Sequence, residues 1–245
     1  MRVRVEVCVA SLAEANAAMA LGVDSVEACA WLACGGITPG TALVRRMGSH
    51  GPSLLRVLCR PGPGGFVYGD DERALLLDEA DGFDALPEVH GLVLGALSAD
   101  GRAEPTLMAA ARRWAKELTF HRAIDHAPDP LGVLEQVVEH GFSRILTSGG
   151  ETLALDGATQ LKRMVDSAAG RIRIAAAGGI NPANVVELVQ RTGVAEVHFA
   201  AQKPAARRME GASMSSTPAG VSFETEPDAA KIEGVLNALA KAGLR

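Results

Sequence analysis

The chain has 245 residues, of which 48% are hydrophobic and 22% charged, with a formal net charge of −5. That length suits one α/β barrel domain spanning residues 1–245, and the apolar content supports a large core and argues against disorder. The acidic balance argues against a nucleic-acid partner that needs a strong basic face, and no apolar run reaches the roughly 18 residues of a membrane span.

Met1-Arg2-Val3-Arg4-Val5-Glu6-Val7-Cys8 alternates charged and apolar residues, which predicts a strand from Val3 to Val9 rather than a signal peptide. Without an export signal, a cytoplasmic location and four reduced thiols (Cys8, Cys29, Cys34 and Cys59) are expected. Ser11 with Glu14 three residues on predicts a capping box, and the helix it opens stops at Gly22. A second strand from about Ser25 to Cys29 leads into a glycine-rich loop through Pro39, then a helix from Thr41 to about Met47. The third strand is expected from Leu54 to Arg60. Its loop, Pro61-Gly62-Pro63-Gly64-Gly65, is incompatible with helix, which resumes from about Asp71 to Asp81.

A fourth strand near Gly91 to Leu97 precedes a helix opening at Pro105, and a fifth is expected from Leu118 to Ala123 before a helix from Pro130 to Gly141. Arg144 to Thr147 and Ile172 to Ala177 read as the sixth and seventh strands, each with its helix. Glu196 to Ala200 reads as the eighth, followed by a long polar loop and a closing helix from about Asp228. Eight alternating strands and helices without a linker predict a single (β/α)8 TIM barrel. A doubly wound open sheet fits less well, because Val9-Ala10-Ser11 carries no dinucleotide-type glycines.

Strand parity sorts the charges. Val3, Val5, Val7 and Val9 share one face, suited to packing under helices, which turns Glu6 and Cys8 inward. On the second strand Glu27 and Cys29 share the inward parity, next to Glu6 and Cys8. Arg60 ends the third strand, His121 and Arg122 the fifth with Asp125 just beyond, and His198 sits on the eighth. Buried carboxylates demand cations or a ligand. Two arrangements satisfy that demand: a structural plug in which Arg60 and Arg122 hold Glu6 and Glu27, or a binding pocket at the C-terminal strand ends.

Several segments resemble the CutC family: Glu6-Val7-Cys8-Val9, Val26-Glu27-Ala28-Cys29, Gly35-Gly36-Ile37-Thr38-Pro39, Arg60-Pro61 and Phe66-Val67-Tyr68. So do Thr119-Phe120-His121-Arg122-Ala123-Ile124-Asp125, Leu146-Thr147-Ser148-Gly149 and Ser213-Met214-Ser215-Ser216. The resemblance implies a cytosolic barrel, homodimeric or larger, linked by name to copper homeostasis. The sequence departs from the family pattern after Arg60-Pro61, where Gly62-Pro63-Gly64-Gly65 replaces the usual Arg-Gly-Gly-Asp, and at Gly40 and Gly69, where serines are usual.

Two functional readings stand beside each other. Cu(I) prefers soft thiolates, so Cys8 and Cys29 are its candidate ligands, at positions where the family also tends to carry cysteine. Alternatively Glu6, Glu27, Arg60, His121, Arg122 and Asp125 form an acid–base set with an anion clamp. Tyr68, Ser148, Gly178, Gly179 and His198 would then contribute to binding a small anionic, phosphorylated or carboxylated metabolite. Gly178-Gly179 before a helix start is where many barrels seat a phosphate, and Lys203, Arg207 and Arg208 would add attraction. The absence of a lysine at a strand end argues against imine chemistry. A scaffold barrel with no ligand is the third reading.

Overall fold

Eight parallel strands close on themselves: β1 (Arg4–Val9), β2 (Ser25–Ala28), β3 (Leu54–Leu58), β4 (Gly91–Leu94), β5 (Glu117–Phe120), β6 (Arg144–Thr147), β7 (Arg173–Ala177) and β8 (Glu196–Ala200). Pairing of β8 back onto β1 completes the cylinder. The computed structural model describes residues 2–49, 54–205 and 224–245. Helices α1 (Leu12–Ala20), α2 (Thr41–Gly48), α3 (Asp70–Asp84), α4 (Pro105–Ala111), α5 (Pro130–Glu139), α6 (Ala158–Ala168), α7 (Val185–Thr192) and α8 (Ala229–Lys241) follow the strands in turn. The fold is a (β/α)8 TIM barrel. Among the described residues no helix is long and apolar enough to cross a membrane.

The parity argument holds. Val3, Val5, Val7 and Val9 pack into the large core between barrel and helices, as do Val26, Ala28 and Cys59. Inside the barrel the apolar groups are few: Cys8, Cys29, Leu58 and Val93 form one small cluster, and Leu146, Ala175 and Ala177 another. Much of the rest of the interior is charged or polar, with Glu6, Arg56, Arg144 and Glu196 beside Ser25 and Thr119.

Local chemistry sets the helix starts. Ser11 caps α1 by accepting from Glu14 N, but the Glu14 carboxylate reaches Ala10 N, one residue short of a reciprocal box. Asp129 and Pro130 open α5, and Glu104 and Pro105 open α4. Asp228 caps α8 by accepting from Lys231 N at 3.1 Å.

Strand β3 ends at Leu58 and β4 at Leu94, short of the expected Arg60 and Leu97, and two further expectations need correction. The fifth strand stops at Phe120 instead of running to Ala123, because His121 Nδ1 accepts from Ala123 N and turns residues Arg122–His126 into a 3-10 helix. The polar segment after β8 is not all loop: β9 (Gln202–Pro204) pairs antiparallel with β10 (Thr225–Pro227).

Candidate functional site

The barrel interior is built in two levels. The lower is a charged network. Glu6 accepts from Ser25 Oγ at 2.8 Å, from Arg56 Nη1 at 2.5 Å and from Arg144 Nη2 at 2.6 Å, and lies 2.8 Å from His198 Nδ1. Glu196 ion-pairs with Arg144 at 2.7 Å, although neither of its oxygens meets a donor in hydrogen-bond geometry. Glu117 closes the lower rim by accepting from Arg56 and Arg173. Burial opposes charge on Glu6, but Arg144, Arg56 and His198 outweigh it and hold the carboxyl well below the usual range.

The plug expected from sequence therefore exists with different arginines. Arg60 and Arg122 do not hold the glutamates; Arg56 and Arg144 hold Glu6, and among the described residues no arginine lies at ion-pair distance from Glu27. Arg60 lies beyond the end of β3, and its guanidinium donates to the carbonyls of Cys34, Gly36 and Gly64. Arg122 starts the 3-10 turn, which directs it to Asp125, Ser148 and the Glu151 carbonyl. Arg56, by contrast, stands in register with Glu27 on β2, and Arg144 points inward from the start of β6.

Above this network lies a cavity of about 280 Å³ at the C-terminal ends of the strands, where functional sites of such barrels sit. Cys8, Glu27, Arg60, His121, Arg122 and His198 line it, with Gly178 and Gly179 at its edge. Gly178 has φ of 112°, and a Cβ there would sit 2.9 Å from Thr152 O, so the rim requires glycine. Arg60 draws the glycine loop over the cavity by donating to Gly64 O, and Phe66 then packs 5.0 Å from the His121 ring.

Other sequence candidates lie off the cavity wall. Glu6 is sealed beneath it. Asp125 is consumed as an acceptor for Thr147, Ser148, Gly150 and Arg122, and Ser148 joins that cluster. Tyr68 is buried beside Arg60, and burial pushes its phenol up to about 12. Lys203 pairs with Glu226 on the exposed hairpin. Arg207, Arg208 and Ser213 to Ser216 lie outside the described residues.

Sequence reasoning missed Lys231. It is the third residue of α8, placed by its Asp228 cap, and reaches the cavity from outside the strands. Its ammonium donates to Ala200 O at 2.7 Å and lies 5.4 Å above the Phe199 ring. Burial lowers its pKa. The Asp at the cap position was the one signal available, and it fixes a helix start without showing which face turns inward.

Three buried polar atoms of the cavity-lining residues have no partner among the described residues: Glu27 Oε2, His121 Nε2 and Arg60 Nε. His121 Nδ1 is an acceptor, so Nε2 carries the hydrogen. Burial and the nearby Arg60 charge push His121 down to about 3, so it is neutral at physiological pH. Burial, together with Glu6, raises Glu27 above the usual carboxyl range even though His198 and the arginines oppose this. Burial would strip the proton from His198, but Cys8, Glu27 and Glu6 outweigh it and hold its pKa well above that of a free imidazole.

Glu6, Glu27 and His198 each present a ligand atom within 4.8 Å of the others, a spacing that a metal ion can bridge. The surroundings oppose one, because both Glu6 oxygens are already taken and two guanidinium groups lie against them. A Cu(I) thiolate pair at Cys8 and Cys29 fits no better. Cys29 is fully buried, its thiol donates to Val9 O at 3.4 Å, and burial together with Cys8 and Glu27 pushes it well above the ordinary thiol range.

The description CutC family matches residues 3–203 of this chain. A family protein CutC from Glaesserella parasuis is 34% identical over 239 residues, covering 95% of this chain and 97% of that one. The crystal structure of a CutC protein from Streptococcus agalactiae, named for copper homeostasis, superposes with a TM-score of 0.73 at 28% identity, covering 80% and 98%. Phosphoribosylanthranilate isomerase from Thermotoga maritima shares the fold alone, with a TM-score of 0.56 at 15% identity over 98% and 99% of the two chains. The protein whose charged barrel interior is described above belongs to the CutC family.

Proposed function

We propose that this barrel is an enzyme performing proton transfer on a small anionic metabolite, in the lyase, isomerase or aldolase-like class. The observation that carries this reading is the pair of unpartnered polar atoms, Glu27 Oε2 and His121 Nε2, in the wall of one cavity. An unsatisfied buried polar atom costs about 1–3 kcal/mol, which a ligand that completes the hydrogen bonds returns.

The roles follow from the charges. Glu27 is an acid–base group whose pKa burial raises above that of a free carboxyl. His121 is a neutral donor suited to an oxyanion that forms in the reaction. Arg60 and Lys231 bond to backbone carbonyls and have no carboxylate partner at ion-pair distance among the described residues. Their positive charges are thus uncompensated, and Glu27 is the single carboxylate among the described residues lining the cavity. That balance selects an anion.

The test is a thermal-shift screen of metal-free protein against phosphorylated and carboxylated metabolites, with Cu(I) and Zn²⁺ alongside. Stabilisation by a metabolite, lost in Glu27→Gln and His121→Asn, supports the reading. Stabilisation by one equivalent of Cu(I) alone, abolished in the Cys8→Ser, Cys29→Ser double variant, replaces it with a copper-handling role.

A further inference from the structure

Cys8 belongs to a second arrangement that the acid–base set does not use. Strand β8 pairs with β1 so that Glu6 stands opposite His198 and Cys8 opposite Ala200. Glu6 Oε1 lies 2.8 Å from His198 Nδ1, and Cys8, two residues beyond Glu6 on the same face of β1, stands close enough to the same ring to help hold its proton. Cys8 and His198 both line the cavity. A carboxylate that fixes one ring nitrogen while the imidazole meets a thiol is the order of groups that activates a cysteine nucleophile.

The geometry points to Cys8 as a nucleophile that adds to a small anionic aldehyde or ketone in this cavity, with His198 as its proton partner and Glu6 positioning the imidazole. The choice of an anionic carbonyl compound rests on the proposed function above; the nucleophile itself does not. The other three cysteines lack this setting. Cys29 lies off the cavity with its thiol on Val9 O, Cys59 packs under the helices, and the Cys34 thiol donates to Trp31 O. The unpartnered Glu27 Oε2 and His121 Nε2, on side chains of residues only 4% exposed, mark independently that the same cavity receives a ligand.

The step balances without a further reactant. The proton of the pair rests on His198, so sulfur reacts as a thiolate beside the imidazolium and no prior transfer to the ring is needed. Sulfur attacks the carbonyl carbon, a C–S bond forms, and the carbonyl π pair moves to oxygen. The imidazolium proton is delivered to that oxygen, giving a thiohemiacetal, while His121 Nε2 donates a hydrogen bond to it. Facing the pair are Glu27 from β2, Cys29 just beyond it, Lys231 from α8, and Arg56 and Arg144 beneath.

The experiment is alkylation of the whole protein by iodoacetamide and by iodoacetate, followed at each cysteine by peptide mass spectrometry. Cys8 is expected to react at neutral pH roughly tenfold faster than Cys34, although Cys34 is the more exposed. His198→Asn is expected to slow Cys8 by roughly tenfold and leave Cys34 unchanged, and Glu6→Gln to move the pH at which Cys8 reactivity rises. An inert Cys8 beside a reactive Cys34 in the unmodified protein overturns the proposal, whatever the variants do. Iodoacetate outpacing iodoacetamide at Cys8 reports the anion preference. A fast Cys8 without that preference upholds the nucleophile and removes the anionic substrate class.

Discussion

Arg144 Nη2 donates to Glu6 Oε1 at 2.6 Å, and neither side chain has any exposed surface. The two residues come from β6 and β1, strands that do not pair, so the bond spans the barrel interior. With Arg56 and Glu196 it forms a floor of two cations and two anions. That floor holds Glu6 charged, and Glu6 in turn holds His198 at the base of the cavity.

Removing one partner of such a network leaves a buried charge uncompensated. Arg144→Met is expected to destabilise the fold by about 3–5 kcal/mol, measured by urea unfolding. Adding Glu196→Gln should recover part of the loss, because the remaining Arg56 then faces one buried carboxylate fewer. A loss under about 1 kcal/mol for the single variant would place the pair among weak surface bridges.

The depressed pKa of Glu6 has a defined pH signature. Its stabilisation is complete above the ordinary carboxyl value of 4.5 and is lost as pH falls from there toward the lower folded value. The stability gap between the unaltered protein and Glu6→Gln should therefore be widest near neutrality and shrink below pH 4.5. A gap independent of pH would show that the carboxylate charge contributes nothing.

His121 adds to the same loss of stability in acid, in a higher pH window. Its pKa falls from 6.5 to about 3 on folding, so between those values the unfolded chain holds a proton that the folded chain lacks. Stability then drops as pH falls through that window, by at most about 1.4 kcal/mol per pH unit. His121→Asn should flatten this slope in urea titrations at pH 4, 5 and 6. An unchanged slope would assign the acid sensitivity to other groups.

The glycine rim is testable by contrast. Gly178→Ala meets Thr152 O and requires a positive φ, whereas Gly22→Ala requires a positive φ but meets nothing within 4 Å. Gly178→Ala should destabilise by about 1–3 kcal/mol, more than Gly22→Ala, and should also weaken any ligand of the cavity. Equal losses would show that backbone conformation alone accounts for the cost.

The alternation of Val3, Val5, Val7 and Val9 with Glu6 and Cys8 was enough to place those two inside a barrel, and Glu27 followed by the same parity. Parity tells which face a side chain takes but not how far along the axis its head group reaches. Arg60 and Arg122 were expected on the glutamates because they sit at strand ends; loop carbonyls and Asp125 capture them first.

The primary sequence thus determined the repeating strand–helix unit, the inward glutamates and the family, since periodicity and ordered motifs are properties of the chain itself. Only the closed barrel decided that Arg56 and Arg144 neutralise Glu6, that Lys231 enters the cavity from a distant helix, and that Glu27 and His121 keep atoms without partners. Those outcomes depend on which of many compatible charges come within a few ångströms, and closure of β8 onto β1 sets that distance, not spacing along the chain.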